Sequence, residues 1–242
     1  MSRTAPLALP EVPAWFRWFA AGSGADAGAR MGAVDPNGPV FHDLGPLDVQ
    51  RLLGHGALRR DDLAARMAGA RRMPVPTRFL PPVPRPGKIL CLAKNYVAHA
   101  LEMGGEAPSE PIFFAKLPGT LVAHGDEVVI AHWLATRVDH EAELALVLGW
   151  HDPDDRGAKY VAGDRATALV AGYTLCNDVT ARKLQGTDRE QKYPWLRSKS
   201  LDTFCPVGPF VVPADALAAA DLLGTMRVYG AGPQQARTHA MV

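Results

Sequence analysis

Two carboxylates that lie two positions apart, Glu141 and Glu143, are the pattern in this sequence with the most obvious chemistry. They run into the apolar, branched residues 144–148, which predicts a β-strand, and on a strand alternate side chains project from the same face. Like charges held that close repel each other, and a hard divalent cation such as Mg²⁺, Mn²⁺ or Ca²⁺ relieves the repulsion because it prefers carboxylate oxygens. Taken alone, the pair fits a metal site or the solvated face of an edge strand.

A second pattern is a histidine and a glutamate three residues apart, His99 and Glu102. They fall in a predicted helix that begins after Asn95 as its cap and stops before Gly104, so they share one helical face. A carboxylate beside a neutral imidazole orients it as a general base toward water. The alternative is an ordinary surface pair.

A third carboxylate, Asp178, follows the apolar segment 168–176. It is either presented at a strand end, where functional carboxylates often lie, or it caps a helix that starts at the next residue. Arg182 and Gln185 come one and two turns later on the same face of that helix. They are candidates for binding the carboxylate or keto group of a small anion, and the alternative for Arg182 is a solvated helix charge.

Two lysines, Lys116 and Lys199, complete the set of candidate side chains. An ammonium group beside a metal site stabilises an enolate or binds a substrate carboxylate. Each lysine also fits an ordinary surface position. The sequence outside the motifs does not indicate whether these lysines belong to an active site or to the surface.

Composition limits the class of protein. The chain has 242 residues, 48% of them hydrophobic, and its 26 Lys and Arg nearly balance 25 Asp and Glu. Such a balance gives no indication of a nucleic-acid or membrane surface, and no segment approaches the roughly 20 apolar residues of a membrane span. The odd number of cysteines, 3, in apolar contexts is typical of reduced thiols in a cytoplasmic protein.

The elements that must position these residues are predicted to be mostly β with short helices, an α+β class rich in turns. Residues 1–73 are expected to form a small N-terminal domain, 74–87 a proline-rich linker and 88–242 the catalytic domain. Turn residues at 35–38 predict a hairpin. Further elements are predicted by periodicity and branched runs: helices at 47–53 and 58–67, and strands at 88–92, 111–116, 126–130, 168–176, 210–212 and 225–228.

Together, these patterns resemble the fumarylacetoacetate hydrolase family, in its bacterial form with a small N-terminal domain. The resemblance covers about 88–242 and rests on five motifs in the family's order: Cys91-Leu92-Ala93-Lys94-Asn95-Tyr96 with His99 and Glu102, Pro111-Ile112-Phe113-Phe114-Ala115-Lys116, Val138-Asp139-His140-Glu141-Ala142-Glu143, Gly172-Tyr173-Thr174-Leu175-Cys176-Asn177-Asp178 with Arg182 and Gln185, and Lys199-Ser200-Leu201-Asp202-Thr203-Phe204.

The resemblance implies a β-roll of mixed sheets around a metal site, commonly as a homodimer. It further implies three groups of site residues: Glu141, Glu143 and Asp178 as ligands of Mg²⁺ or Mn²⁺, His99 and Glu102 as a water-activating dyad, and Lys199, Gln185, Arg182 and Lys116 as contacts of the substrate or its enolate.

The chemistry implied is cleavage of a C–C bond in a small 2-oxo or 2,4-dioxo acid through a metal-stabilised enolate, either acylpyruvate-type hydrolysis or oxaloacetate-type decarboxylation. The alternatives are an isomerase or lyase of the same family that acts on an unsaturated oxo-dioate, and an inactive metal-binding member. The sequence up to Val242 contains no match to the family's Thr-Gly-Thr-Pro-like loop, so the catalytic domain is expected to lack its C-terminal part.

Overall fold

A computed structural model of the chain describes residues 7–21, 28–35, 40–96, 108–134, 137–149, 159–218, 221–228 and 234–241. Strands predominate and the helices are short, which confirms the expected mostly-β class. The strands are β1 Ala14–Ala20, β2 Gly28–Asp35, β3 Val40–Gly45, β4 Arg71–Met73, β5 Phe79–Leu80, β6 Ile89–Ala93, β7 Ile112–Lys116, β8 Leu121–Val122, β9 Val138–Asp139, β10 Ala142–Leu148, β11 Val170–Asn177, β12 Thr180–Ala181, β13 Cys205–Pro206, β14 Phe210–Pro213, β15 Leu223–Met226 and β16 Gln234–Arg237. The α-helices are α1 Val49–Gly54, α2 Arg60–Ala68, α3 Gly163–Ala166, α4 Arg182–Glu190 and α5 Leu196–Lys199.

An antiparallel sheet of eight strands lies at the centre of the fold. Its order is β10-β11-β14-β1-β2-β3-β4, and β5 pairs with β1 next to β14. The sheet therefore joins strands from both sides of the predicted linker 74–87. The division of the chain into two domains stays a prediction. Within the described residues there are also four smaller pairs, β12–β9, β15–β16 and β6–β7 antiparallel and β13–β8 parallel.

Both faces of β1 are buried, and they meet different cores. Trp15 packs with residues of α1 and α2, including Leu63, on one face. Phe16 points to the other face, where its ring lies 5.6 Å from that of Phe79. Gly32 stands opposite Phe16 across the ladder, and a Cβ there would lie 2.3 Å from the Phe16 ring. Glycine is required at this position because only the missing side chain leaves room for the ring.

A buried ion pair ties the N-terminal strands together. Asp43 of β3 accepts hydrogen bonds from Arg30 Nε and Nη2 of β2, both at 2.9 Å, and from Arg71 Nη2 of β4 at 2.9 Å. Asp43 and Arg30 are 7% and 8% exposed. Burial opposes the charged form of Asp43, but the hydrogen bonds from Arg30 and Arg71 prevail, and the pKa of Asp43 lies below its ordinary value.

We expect Asp43→Asn to lower the free energy of unfolding by about 3 kcal/mol, because it removes the carboxylate that pairs with the buried Arg30. A depressed folded-state pKa means that the contribution of Asp43 is present above its unfolded pKa, about 3.9, and is lost as the pH falls through the folded value. Urea unfolding at pH 7 and at acid pH measures both effects. Equal loss of stability below pH 4 in the wild type and the variant would contradict this assignment.

The hairpin predicted around 35–38 is confirmed by the antiparallel pairing of β2 with β3, and the two predicted helices are confirmed as α1 and α2. The strand predicted at 126–130 is wrong, since this segment is irregular. Its polar groups are used locally: the Asp126 carboxylate accepts from the Ala123 amide at 2.9 Å, and the Val129 amide donates to Thr203 Oγ1 at 2.8 Å. Residues 97–103 of the predicted helix after Asn95 lie outside the described residues.

Candidate active site

The ladder between β10 and β11 brings three carboxylates to one face. Glu143 stands opposite Cys176, and beyond the last strand pair the Asp178 amide donates to the Glu141 carbonyl at 2.8 Å. Directly opposed residues share a face, as do residues two apart on one strand. Glu141, Glu143 and Asp178 therefore project to the same side of the sheet, as the spacing predicts for the first two.

Lys199 connects two of these carboxylates. It is the last residue of α5 and is 3% exposed, and its Nζ lies 2.6 Å from Glu141 Oε2 and also contacts Asp178 Oδ2. The ammonium also lies 4.8 Å from the centre of the Phe114 ring. A cationic group thus already occupies the space between Glu141 and Asp178, and Lys199 is no surface lysine.

Lys116 holds Asp178 from the opposite side. Its Nζ lies 2.7 Å from Asp178 Oδ1 and 3.3 Å from the Val179 carbonyl, and it also donates to the Lys199 carbonyl. Lys116 is 1% exposed, so its ammonium is committed to protein oxygens. This placement suits a residue that positions Asp178 and the end of α5, whereas the expected contact with substrate stays a prediction.

Arg182 begins α4 and contacts the outer side of the carboxylate face. Its Nε lies 2.8 Å from Asp139 Oδ2, Nη1 donates to Gln185 Oε1 at 2.9 Å, and Nη2 contacts Glu141 Oε1. Arg182 and Gln185 are therefore neighbours in the first turn of the helix, as their spacing predicts. The Arg182 side chain is 26% exposed, so a small anion in solvent can reach it.

Asp178 does not cap a helix. The strand β12 follows it, and α4 starts only at Arg182, after Ala181. The Asp178 carboxylate is occupied by Lys116 and Lys199 instead. The alternative of a strand-end carboxylate is the one that the structure bears out.

The electrostatics of the two glutamates differ. Burial opposes the charge of Glu141, but the ammonium of Lys199 and the guanidinium of Arg182 outweigh burial and hold its pKa below the ordinary value. Burial, and then the negative charges of Asp178 and Glu141, raise the pKa of Glu143 to about 7. The Glu143 carboxylate receives no hydrogen bond within the described part of the chain, and the charge of Lys199 only partly offsets the effects that raise its pKa. It therefore lacks the hydrogen-bonded cation that the other two carboxylates have.

The donor chemistry of this face fits a hard divalent cation. Three carboxylates share one side of the sheet, one of them has no hydrogen-bonded cation among the described residues, and Mg²⁺ and Mn²⁺ prefer such oxygens. Within the described ranges, no group of three or more His, Cys, Asp and Glu side chains is arranged closely enough to hold a metal ion. The Lys199 ammonium instead contacts both Glu141 and Asp178. The metal assignment of these three residues stays a proposal.

His99 and Glu102, the predicted water-activating dyad, both lie outside the described residues. Their roles stay predictions.

Two polar residues of the face were not singled out from the sequence. Asp139 pairs with Arg182, and the Thr180 hydroxyl lies 3.1 Å from Glu141 Oε2. Asp139 and Thr180 also stand opposite each other in the β9–β12 ladder. The strand period of two could have identified both residues in the sequence, because Asp139 precedes Glu141 by two positions and Thr180 follows Asp178 by two.

Residues 88–242 match the protein family described as "Fumarylacetoacetate (FAA) hydrolase C-terminal". Among curated proteins, the chain is 40% identical over 224 residues to the human protein named "Oxaloacetate tautomerase FAHD2A, mitochondrial", an alignment that covers 90% of this chain and 67% of that one. An uncharacterized protein of Pyrococcus horikoshii is 44% identical over 158 residues, 65% of this chain and 66% of the relative. The chain thus spans about two thirds of the length of these relatives.

Solved structures show the same fold. A fumarylacetoacetate hydrolase from psychrophilic Exiguobacterium antarcticum superimposes with a TM-score of 0.73 at 31% identity, over 95% of this chain and 76% of that one. A 5-carboxymethyl-2-hydroxymuconate delta-isomerase from Mycobacterium smegmatis gives 0.64 at 29% identity, over 94% and 76%. Among the described residues, none of the helices is long and apolar enough to cross a membrane.

Proposed function

Because this chain belongs to the fumarylacetoacetate hydrolase family, we propose that it is an enzyme that acts on a small 2-oxo acid through its enol or enolate, with the carboxylate face as its active site. The first candidate reaction is keto–enol interconversion of oxaloacetate, since the human relative is named for that activity. The single observation that carries the proposal is the buried contact of Lys199 with Glu141 and Asp178 on this face.

The charges of the face favour a dianionic substrate. With Glu143 ionised, four carboxylates stand against four cations, which makes the face electrically balanced: Asp139, Glu141, Glu143 and Asp178 against Lys116, Arg137, Arg182 and Lys199. A divalent cation would add two positive charges, and a dicarboxylate such as oxaloacetate would restore the balance. Unbalanced charge at a largely buried site is costly. This supports a short oxo-dicarboxylic acid over a monoanion.

Glu141, Glu143 and Asp178 would hold Mg²⁺ or Mn²⁺, which when bound supplies a Lewis acid for the oxygen of the enolate. Lys199 Nζ would donate a hydrogen bond to the substrate oxygen on which negative charge develops. Arg182, with Gln185 beside it, would bind the distant carboxylate of the substrate. Lys116 would keep Asp178 in place.

C–C bond cleavage is the second candidate, because the similar protein from Exiguobacterium antarcticum is named a fumarylacetoacetate hydrolase. In that reaction His99, oriented by Glu102, would take a proton from the water that attacks the distal carbonyl carbon. The same enolate-stabilising face serves both reactions, so the substrate and the presence of this base would decide between them. Isomerisation of an unsaturated oxo-dioate is the third, since another related structure carries the name of such an isomerase.

The experiment is an assay of the full chain with Mg²⁺ or Mn²⁺, in which the ultraviolet absorbance of enol-oxaloacetate is followed against a blank with metal alone. Pyruvate is measured in parallel with oxaloacetate and with acetylpyruvate. Loss of enol without pyruvate indicates tautomerisation, and pyruvate from either acid indicates cleavage.

The matched variants for this assay are Glu141→Gln and Asp61→Asn. Asp61 is an exposed carboxylate on α2, with a side chain 89% exposed and paired only with its neighbour Arg60 among described residues. We expect Asp61→Asn to match the wild type and Glu141→Gln to fall to the metal blank. Equal rates in the wild type and Glu141→Gln would refute the proposal.

We expect Glu143→Gln to raise the urea midpoint of the metal-free protein and to weaken Mn²⁺ binding by at least about tenfold, the size of effect seen when groups around a metal are removed. The neutral amide removes a buried charge that Asp178 and Glu141 repel, but it is a poorer ligand. Urea unfolding and calorimetric titration measure the two effects. A lower midpoint together with unchanged Mn²⁺ affinity would contradict the assignment.

The homodimer and the cytoplasmic location implied by the resemblance also stay predictions. Light scattering on the purified full chain tests the first, and fractionation of cells that express it tests the second.

A further inference from the structure

Two cysteine thiols lie in contact beside the carboxylate face. Cys176 Sγ of β11 and Cys205 Sγ of β13 are 3.4 Å apart, although 29 residues separate them in the chain. Cys205 is 1% exposed, whereas Cys176 is only partly buried. A disulfide has an S–S length of about 2.05 Å, so the two sulfurs need to approach by about 1.4 Å to be joined.

The surroundings distinguish these thiols from the third cysteine. The hydrogen bond between the two thiols and the positive charge of Lys116 hold the pKa of Cys205 below its ordinary value, even though burial opposes this. Burial raises the pKa of Cys91 to about 12. The 3.4 Å contact of their sulfurs and the partial exposure of Cys176 distinguish Cys176 and Cys205, whereas Cys91 is expected to be inert.

We propose that Cys176 and Cys205 form an oxidation site at which a hydroperoxide converts the two thiols to a disulfide. One thiol of the pair attacks one oxygen of the peroxide and breaks the O–O bond, which leaves a sulfenic acid on that sulfur and, after proton transfer, one molecule of water or alcohol. The other thiol, whose sulfur lies 3.4 Å away, then attacks the oxidised sulfur and expels the sulfenic oxygen as water. Both sulfurs are oxidised and the peroxide is reduced, with two electrons transferred in all.

The bond would link the two chain segments that form the active site. Cys176 precedes Asp178 by two residues, and Cys205 follows Lys199 by six. A covalent link between β11 and β13 would restrain the approach of the Lys199 ammonium to the Asp178 carboxylate. In a reducing compartment the thiols are regenerated, which makes the modification reversible.

The experiment uses the full chain, reduced and freed of reductant, then treated with a small molar excess of hydrogen peroxide. We expect the number of thiols that react with a maleimide under denaturing conditions to fall from 3 to one, because two of the three are joined. Peptide mapping without reduction should find one cross-linked peptide that contains Cys176 and Cys205, and dithiothreitol should restore all the thiols. None of these measurements depends on the proposed enzymatic activity.

Cys91→Ser is the matched control, since it should form the same cross-link with no free thiol left. Cys205→Ser should form none, with its urea midpoint checked to show that it folds. Three thiols that persist in the treated wild type would overturn the proposal. So would a cross-link that includes Cys91, or oxygen added to single cysteines without a cross-link.

Discussion

Asp178→Asn is expected to lower the free energy of unfolding of the metal-free protein by about 3 kcal/mol and to weaken Mn²⁺ binding by more than about tenfold. The carboxylate is 4% exposed and contacts the ammonium groups of both Lys116 and Lys199. The amide has nearly the same shape but no charge, so two buried cations lose a common partner. Urea unfolding gives the stability, and calorimetric titration gives the affinity.

Asp43→Asn is the control for this prediction, because it breaks a buried ion pair in the N-terminal strands away from the carboxylate face. It should lose a similar amount of stability and keep the wild-type Mn²⁺ affinity. If Asp178→Asn instead binds Mn²⁺ as tightly as the wild type, Asp178 acts only as a structural counter-ion for the two lysines.

Lys199→Met should separate metal binding from catalysis. The ammonium lies against Glu141 and Asp178, where it competes with a divalent cation, so its removal should raise Mn²⁺ affinity severalfold. The same substitution removes the donor to the developing enolate oxygen, and kcat should fall about 10²- to 10³-fold, the usual effect of losing one such donor. Methionine retains packing against the Phe114 ring.

Lys183→Met makes the same chemical change at an exposed lysine next to Arg182, and it should leave both quantities unchanged. The informative measurement is the pair of values, Mn²⁺ affinity and kcat on oxaloacetate, for each variant. Affinity and kcat that fall together in Lys199→Met would show that Lys199 mainly holds the fold of the site.

The period of two along a strand predicted much of the carboxylate face. It placed Glu141 and Glu143 on the same side of the chain at the start of β10, and the structure adds Asp139 and Thr180 at the same period. The helical spacing of Arg182 and Gln185 was equally reliable, because local geometry alone brings residues three apart together.

Contacts between segments far apart in the chain could not be predicted from residue spacing. Nothing local to Lys116 shows that it reaches Asp178, 62 residues later, because this depends on how β7 packs against the rest of the domain. The wrong strand at 126–130 has a similar origin. Its consecutive branched residues, 128–130, favour a strand, but hydrogen bonds made by Asp126 and Thr203 satisfy backbone groups here instead of a ladder.

The pairing of β1 with β14 could not be predicted from the sequence either. Strand propensity identifies each strand, but not the partner that lies almost 200 residues away. The proline-rich residues 74–87 favoured an independent linker, yet Phe79 and Leu80 within them form β5 and pair with β1. Sheet formation across this segment depends on burial of Phe16, Phe79 and Phe210 in a common core.

The most direct test of the central claim is a titration of the full chain with Mn²⁺, followed by the paramagnetic resonance signal of the free ion. We predict that the wild type and Asp61→Asn each bind one ion per chain at the carboxylate face, and that Glu141→Gln binds it at least about tenfold more weakly. Absence of binding in the wild type, or equal binding in Glu141→Gln, would contradict the assignment of this face as a metal-dependent active site.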